Sequence, residues 1–289
     1  MARALDWETD GKVWPFRANS RFASLEGVRW HWQRFDSSGQ PQLLLLHGTG
    51  ASAHTWAPLV PLLNARFDIM SVDLPGQAFS HCDDADLMSM VGMAQSLDAL
   101  LRDQLFQPVL VVGHSAGAAL LGQMILQGFV APDRLVAIAP AFMPWRGIAN
   151  HLFTPMAKML AGASIVPRLF SRMSGSDESV RRLITRIGSA PIEEMVACYK
   201  VLVSNECHVA NTLTMMARWE LAALTPQLSS LSVPVDLVIG SADQAVPPEQ
   251  AKQAAALLPQ SQLHWLHGKG HLVHEEQPEA IARLVLGTT

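Results

Sequence analysis

Five residues, Gly113-His114-Ser115-Ala116-Gly117, follow directly on the apolar run 108–112 and open a helix-forming stretch from Ala116 to Gln127. A strand that reverses into a helix within one turn leaves no space for a Cβ at its tightest points, and glycine meets that need. The spacing therefore predicts strand, sharp turn and helix, with the Ser115 hydroxyl lifted above the sheet edge and free to attack a carbonyl. Gly-x-Ser-x-Gly alone is a weak string, because small residues are common. The strand before it and the helix after it carry the argument. Against the plainer reading, an ordinary turn serine, stand two further signals.

The first is the buried strand Leu43–Leu46, which ends in His47-Gly48-Thr49-Gly50. This HG-x-G turn resembles the oxyanion loop of α/β-hydrolases, whose backbone N–H acts together with that of the residue after the nucleophile. Here the donors are expected at Thr49 and Ala116. The second signal lies downstream. Asp243 follows a predicted strand at Val233–Ile239, and His271 follows one at Gln262–Leu266. The order Ser115, Asp243, His271 is that of the α/β-hydrolase triad, and all three fall after strands, at one edge of a parallel sheet. A serine nucleophile disfavours chemistry that runs through an aspartyl ester. His114 is expected to pack beside the elbow, and His47 to order the oxyanion loop. Asp73 is the alternative acid. His271-x-x-His274-Glu275-Glu276 invites a metal reading, but metal on His271 would occupy the base, so no metal and no cofactor is expected.

The chain has 289 residues, enough for one α/β domain with an insertion. A net charge of −4 gives no electrostatic case for nucleic acid. The amino terminus shows no signal-peptide pattern, and GHSAG divides the one stretch that hydropathy could read as a membrane span. No transmembrane segment is therefore expected. Cys82, Cys198 and Cys207 are widely spaced and outside any motif, which fits a reducing cytoplasm. The expected localisation is cytoplasmic, with peripheral membrane association left open.

Strands are expected at Arg21–Leu25 and Val28–Phe35 (a hairpin turning at Glu26-Gly27), then at Leu43–Leu46, Asp68–Val72, 108–112 and Arg134–Ala139. Helical spacing is read over Trp56–Arg66, and over Met88–Phe106 with a stripe at Val91, Ala94, Leu97, Leu101 and Leu105. Helices at Glu249–Leu258 and Pro278–Leu286 close the chain. Strands alternating with helices predict a mostly parallel, doubly wound sheet covered on both faces, the α/β-hydrolase fold. Between Pro140 and Pro226 the alternation stops, and helical pieces are read at 152–172, 177–187, 191–204 and 208–222. The expected organisation is a core of 1–139 and 226–289 with a helical cap at 140–225. The cap is rich in Met and aromatic residues. Most of these pack it onto the core. As a set they suit a large apolar ligand, with Phe142, Met143, Trp145, His208, Met216 and Trp219, together with His114, as candidate substrate contacts.

Beyond these general features, the chain is similar to the BchO-type magnesium-chelatase accessory proteins of bacteriochlorophyll biosynthesis. The likeness rests on the Trp- and Arg-rich stretch from Asp6 to Phe22, on His47–Trp56 and Val112–Ala119, on His208-Val-Ala with Met215-Met-Ala-Arg-Trp219, on Gly240–Pro248, and on Gly270–Glu276. One departure is Pro75-Gly76-Gln77-Ala78, where many relatives carry Pro-Gly-His-Gly. It touches the pocket wall and leaves the triad intact. The resemblance implies a role near magnesium insertion, a tetrapyrrole or apolar acyl ligand, and magnesium-chelatase subunits as partners, without supplying a reaction. The residues themselves point to a serine hydrolase of an apolar ester or thioester. A non-catalytic porphyrin-binding or chelatase-accessory module and a general carboxylesterase are the alternatives. His208 over an apolar pocket could ligate a porphyrin's magnesium, though a satisfied cap histidine is the plainer expectation.

Overall fold

The computed structural model describes residues 3–144 and 165–288. One eight-stranded sheet has the order β1-β2-β4-β3-β5-β6-β7-β8. The strands are β1 (Ser20–Leu25), β2 (Val28–Phe35), β3 (Gln42–Leu46), β4 (Asp68–Val72), β5 (Leu110–His114), β6 (Arg134–Ile138), β7 (Val235–Gly240) and β8 (Ser261–Leu266). The β1–β2 and β2–β4 pairs are antiparallel, and every other pair is parallel. Glu26 and Gly27 both have positive φ, at 48° and 76°. Two left-handed residues in a two-residue loop match the twist of the hairpin they join.

The four leucines of β3 show why the sheet is buried on both sides. Leu44 and Leu46 join one core cluster with Leu97, Leu101, Leu120 and Met124. Leu43 and Leu45 join the other, with Trp56, Leu59, Leu63, Ile281 and Val285. An unbroken apolar run is what a strand covered on both faces requires.

Two helices differ from expectation. Over Trp56–Arg66 the chain forms a 3-10 turn at Ala53–Trp56 and a single α-turn at Val60–Leu63. Pro58 and Pro61 lack the N–H groups a longer helix would use. The second helix begins at Met90, where the Ser89 hydroxyl accepts the Gly92 N–H at 3.1 Å, and ends at Asp103. Its inward face is Met90, Met93, Ala94, Leu97, Leu100 and Leu101. Val91 is half exposed, and Leu105 is 84 % exposed at φ 49° beyond the helix end.

Between β6 and β7 the described residues contain no strand and hold helices at Ile165–Ser174, Asp177–Arg186, Glu193–Ser204 and Glu206–Arg218, then one turn at Leu221–Leu224. Of the helix read over 152–172, residues 152–164 lie outside the described residues. A third apolar cluster unites the amino-terminal Leu5 and Trp14 with Phe79, with Met195, Tyr199 and Leu202 of helix 193–204, and with Leu272 next to His271. The amino-terminal segment thus braces the insertion against the loops at the carboxyl edge of the sheet.

Candidate active site

Ser115 sits at the tip of β5 with φ 52° and ψ −114°. A non-glycine residue held there stores roughly 1–3 kcal/mol of backbone strain, which the surrounding structure must impose. Its N–H donates to the Ile138 carbonyl at 2.9 Å, and its carbonyl accepts the Ala141 N–H at 3.1 Å. Both motif glycines are needed sterically. A Cβ at Gly113 would lie 2.5 Å from the Ala118 nitrogen, and one at Gly117 would lie 2.3 Å from the Leu46 oxygen. Gly48 brings the HG-x-G loop alongside, since a Cβ there would stand 3.0 Å from the Ser115 Cβ. Ala116 is the first residue of its helix, where the N–H has no intrahelical acceptor. The Thr49 N–H makes no hydrogen bond among the described residues.

Asp243 follows β7. Its Oδ1 accepts the N–H groups of Ala245 at 2.7 Å and Val246 at 2.9 Å, leaving Oδ2 for His271 Nδ1 at 2.8 Å. A carboxylate there fixes the proton on Nδ1 and leaves the Nε2 lone pair bare. Nε2 makes no hydrogen bond among the described residues. The His271 backbone is held by His114, whose Nε2–H donates to its carbonyl at 3.0 Å, and by its own N–H to Ile187 O at 3.2 Å. The rings of His114 and His271 lie 4.6 Å apart. The residue adjoining Ser115 in sequence is therefore packed directly on the candidate base. Burial, then the neighbouring His274 and His271, pushes the His114 imidazole well down, so it stays neutral. Ser115, Asp243 and His271 are all buried, at 8 %, 4 % and 8 % exposure, so the charge that develops in a reaction there meets fixed protein dipoles more than water.

The remaining sequence candidates fall elsewhere. The Phe142 side chain is wholly inside the core, 3.4 Å from where a Gly122 Cβ would be, and offers no surface to a ligand. Met143 is buried, Trp219 half-buried against the same core, and Met216 48 % exposed. Trp145 lies outside the described residues. His208 is buried with both ring nitrogens engaged, to the Ala78 N–H at 3.0 Å and the Gly50 carbonyl at 3.3 Å. Neither is left to ligate a metal. Asp73 is also committed, accepting from the N–H groups of Ala53 and Phe79 and from His31 Nδ1. Through Nδ1 and Nε2, His47 bridges the Gly48 carbonyl and the Leu74 N–H. The His274-Glu275-Glu276 run is dispersed. His274 Nε2 meets Thr55 Oγ1, Glu275 accepts from Thr55 and Tyr199, and Glu276 accepts the Gly270 N–H. Among the described residues no cluster of three or more His, Cys, Asp or Glu side chains could hold a metal.

Two contributors carried no sequence signal. Ile187–Ser189, between two insertion helices, lies against the His271 loop, and the Ser189 hydroxyl accepts the Leu272 N–H at 2.8 Å. Tyr199 reaches Glu275 at 2.6 Å. Gln77, part of the Pro75–Ala78 departure, accepts the Gly50 N–H of the HG-x-G turn at 3.3 Å. A cleft of about 680 Å³ between Ser89–Val91, Gln123 and the end of helix 206–218 contains none of the three candidate catalytic residues.

An antiparallel edge, a parallel sheet, a strained serine at a strand–helix elbow and an aspartate–histidine pair on later strands define a hydrolase-type architecture. Residues 43–284 match the model of the alpha/beta hydrolase family. The chain belongs to that family and, within it, to the BchO-type magnesium-chelatase accessory proteins. It is 33% identical to the magnesium-chelatase 30 kDa subunit of Rhodobacter capsulatus, over 94% of this chain and 95% of that one. It is 27% identical to the pimeloyl-[acyl-carrier protein] methyl ester esterase of Aeromonas hydrophila, over 85% of this chain and 94% of the esterase. An alpha/beta hydrolase fold protein from Burkholderia ambifaria superposes with a TM-score of 0.77 at 22% identity, covering 99% of this chain and 100% of that one. No helix among the described residues is long and apolar enough to cross a membrane.

Proposed function

We propose that the protein is a serine hydrolase that cleaves an apolar ester or thioester, beneath a cap formed by residues 140–225, near the step that inserts magnesium into a tetrapyrrole. The observation that carries this reading is the 2.8 Å contact between His271 Nδ1 and Asp243 on a loop that packs against His114, beside a strained Ser115. That arrangement leaves the His271 Nε2 lone pair bare on a ring packed against His114, the residue before Ser115, and this supports its role as the base.

In this mechanism the Ser115 oxygen bonds to the acyl carbon while its proton passes to His271 Nε2. Asp243 stabilises the imidazolium, and the N–H groups of Thr49 and Ala116 bind the oxyanion. Each such donor is worth on the order of 3 kcal/mol of barrier. The C–O or C–S bond breaks, and the leaving group takes the proton from His271. Water then gives a proton to His271 while its oxygen bonds to the acyl carbon; the bond from that carbon to the Ser115 oxygen breaks, His271 returns the proton to Ser115, and a carboxylic acid is released. The esterase among the relatives supports acyl-ester chemistry.

The likeness to a magnesium-chelatase subunit favours one second reading, a non-catalytic module that holds a tetrapyrrole or contacts chelatase subunits. Hydrolysis of p-nitrophenyl esters of increasing chain length by the wild type and by Ser115→Ala separates the two. The hydrolase reading expects turnover that rises with chain length and vanishes in the variant. Equal background rates in both would leave the binding module. A general carboxylesterase would hydrolyse the esters yet show no tight porphyrin binding in a pigment titration.

A further inference from the structure

We propose that His208 and Gln77 are positioning residues for the oxyanion loop, pinning Gly50 from both sides and so tying the Thr49 N–H to the docking of helix 206–218. The role given to Thr49 rests on the serine-hydrolase reading.

Gly50 has φ 75°, and a Cβ there would lie 3.4 Å from Thr212 Cγ2, so helix 206–218 approaches the loop closely. The two peptides that meet at the Gly50 Cα are each anchored. The Gly50 N–H donates to Gln77 Oε1 at 3.3 Å, and the Gly50 carbonyl accepts from His208 Nε2 at 3.3 Å. The Thr49 N–H belongs to the next peptide upstream, inside a turn closed by the Ala51 N–H to Gly48 O at 3.2 Å. Fixing Gly50 therefore fixes the direction of that donor.

The anchors are themselves determined. Gln77 is fully buried, and because its side chain faces a backbone N–H, the atom placed there must be the amide oxygen. The same oxygen lies 3.1 Å from the Thr212 hydroxyl, on the helix. His208 Nδ1 accepts the Ala78 N–H at 3.0 Å, so the ring proton sits on Nε2 and points at Gly50. Burial pushes the imidazole down to about 4, and the ring keeps this donor–acceptor pattern through neutral pH. The ring's place on the helix is set by Asn205, whose side chain accepts the His208 N–H at 2.8 Å. The Pro75-Gly76-Gln77-Ala78 departure now has a use. Ala78 stands at φ 46°, a conformation glycine adopts freely and alanine does not, and the His208 bond holds it there. Gln77 supplies the acceptor that meets Gly50.

The test compares full-length wild type, His208→Leu and His208→Gln on a p-nitrophenyl ester and its thionoester, with amide exchange followed over 48–51. Leucine removes both contacts. Glutamine offers one acceptor and one donor in a similar reach. His208→Leu is expected to lose kcat by roughly tenfold to a hundredfold, the scale of a displaced catalytic group, with KM little changed. Its preference for the oxo-ester over the thionoester narrows, because sulfur uses the oxyanion donors poorly, and exchange at 48–51 quickens. His208→Gln recovers most of each loss. Should His208→Leu fail to fold, Thr212→Val removes the hydroxyl from Gln77 and is expected to shift the same readouts in the same direction. Wild-type kcat, thionoester ratio and exchange in His208→Leu, or in Thr212→Val if that is the folded variant, would overturn the proposal. So would a kcat loss with unchanged exchange that glutamine does not rescue. A wild type with no turnover refutes the hydrolase reading instead; the loop claim then stands or falls on the exchange.

Discussion

Glu275 offers a quantitative test of the buried network behind His271. Its carboxyl is 3 % exposed, and its Oε1 accepts from the hydroxyls of both Thr55 and Tyr199. Burial pushes the group up from 4.5 to about 7, although the two hydroxyls pull the other way. At about 1.4 kcal/mol per tenfold change in proton affinity, full ionisation costs the fold about 3 kcal/mol. The sign follows from the raised value. The folded state binds the proton more tightly than the unfolded chain, so this contribution is complete below pH 4.5, declines as pH rises, and is gone above about 7. Glu275→Gln keeps an oxygen for Thr55 and Tyr199 and cannot ionise. Its stability relative to wild type should therefore improve by about 2.5 kcal/mol between pH 5 and pH 8. The buried imidazoles of His54 and His274, both pushed down to about 3, act in the opposite direction, removing stability as pH falls below 6.5. They are common to both proteins and cancel in the difference. Urea titrations of the two proteins at pH 5, 6, 7 and 8, with m-values checked for equality, supply the numbers. Stability curves that run parallel across this range would refute the reasoning.

Other consequences are as direct. Asp243→Asn leaves His271 without an acceptor for Nδ1–H and should lower kcat by roughly 10³–10⁴-fold in steady-state assays, with the fold intact by circular dichroism. Gly113→Ala places a Cβ 2.5 Å from the Ala118 nitrogen and should cost about 2–3 kcal/mol in denaturant unfolding. Because both His208 nitrogens are engaged within the protein, magnesium protoporphyrin should give the same absorption shift with wild type and His208→Ala. A shift lost only in the variant would reinstate His208 as an axial ligand.

Much of this architecture can be read from the chain because strand and elbow signals are local. The leucine run of β3, the GHSAG turn and the placement of Asp243 and His271 after strands all follow from short-range sterics and periodicity. What could not be read depends on pairs far apart in sequence. Tyr199 reaches Glu275, His208 reaches Gly50, and His114 reaches the His271 carbonyl only after folding has joined insertion and core. Apolar spacing predicts a helix over Trp56–Arg66, and Pro58 and Pro61 reduce it to two short turns. On helix 90–103 the predicted stripe holds at Ala94, Leu97 and Leu101, whereas Val91 and Leu105 fit the same period yet are exposed, and Met90 and Met93 complete the buried face. Phe142 reads from sequence as a pocket residue, because an aromatic beside a cap boundary has the same signature whether it faces ligand or core.

Hydrolysis at this site requires Ser115 to be an activated nucleophile. Intact-mass and peptide analysis after treatment with a fluorophosphonate probe tests this directly. The expected result is a single adduct on Ser115, absent in Ser115→Ala and much slowed in His271→Gln. A wild-type protein that stays unmodified, or that is modified at another residue, would contradict it.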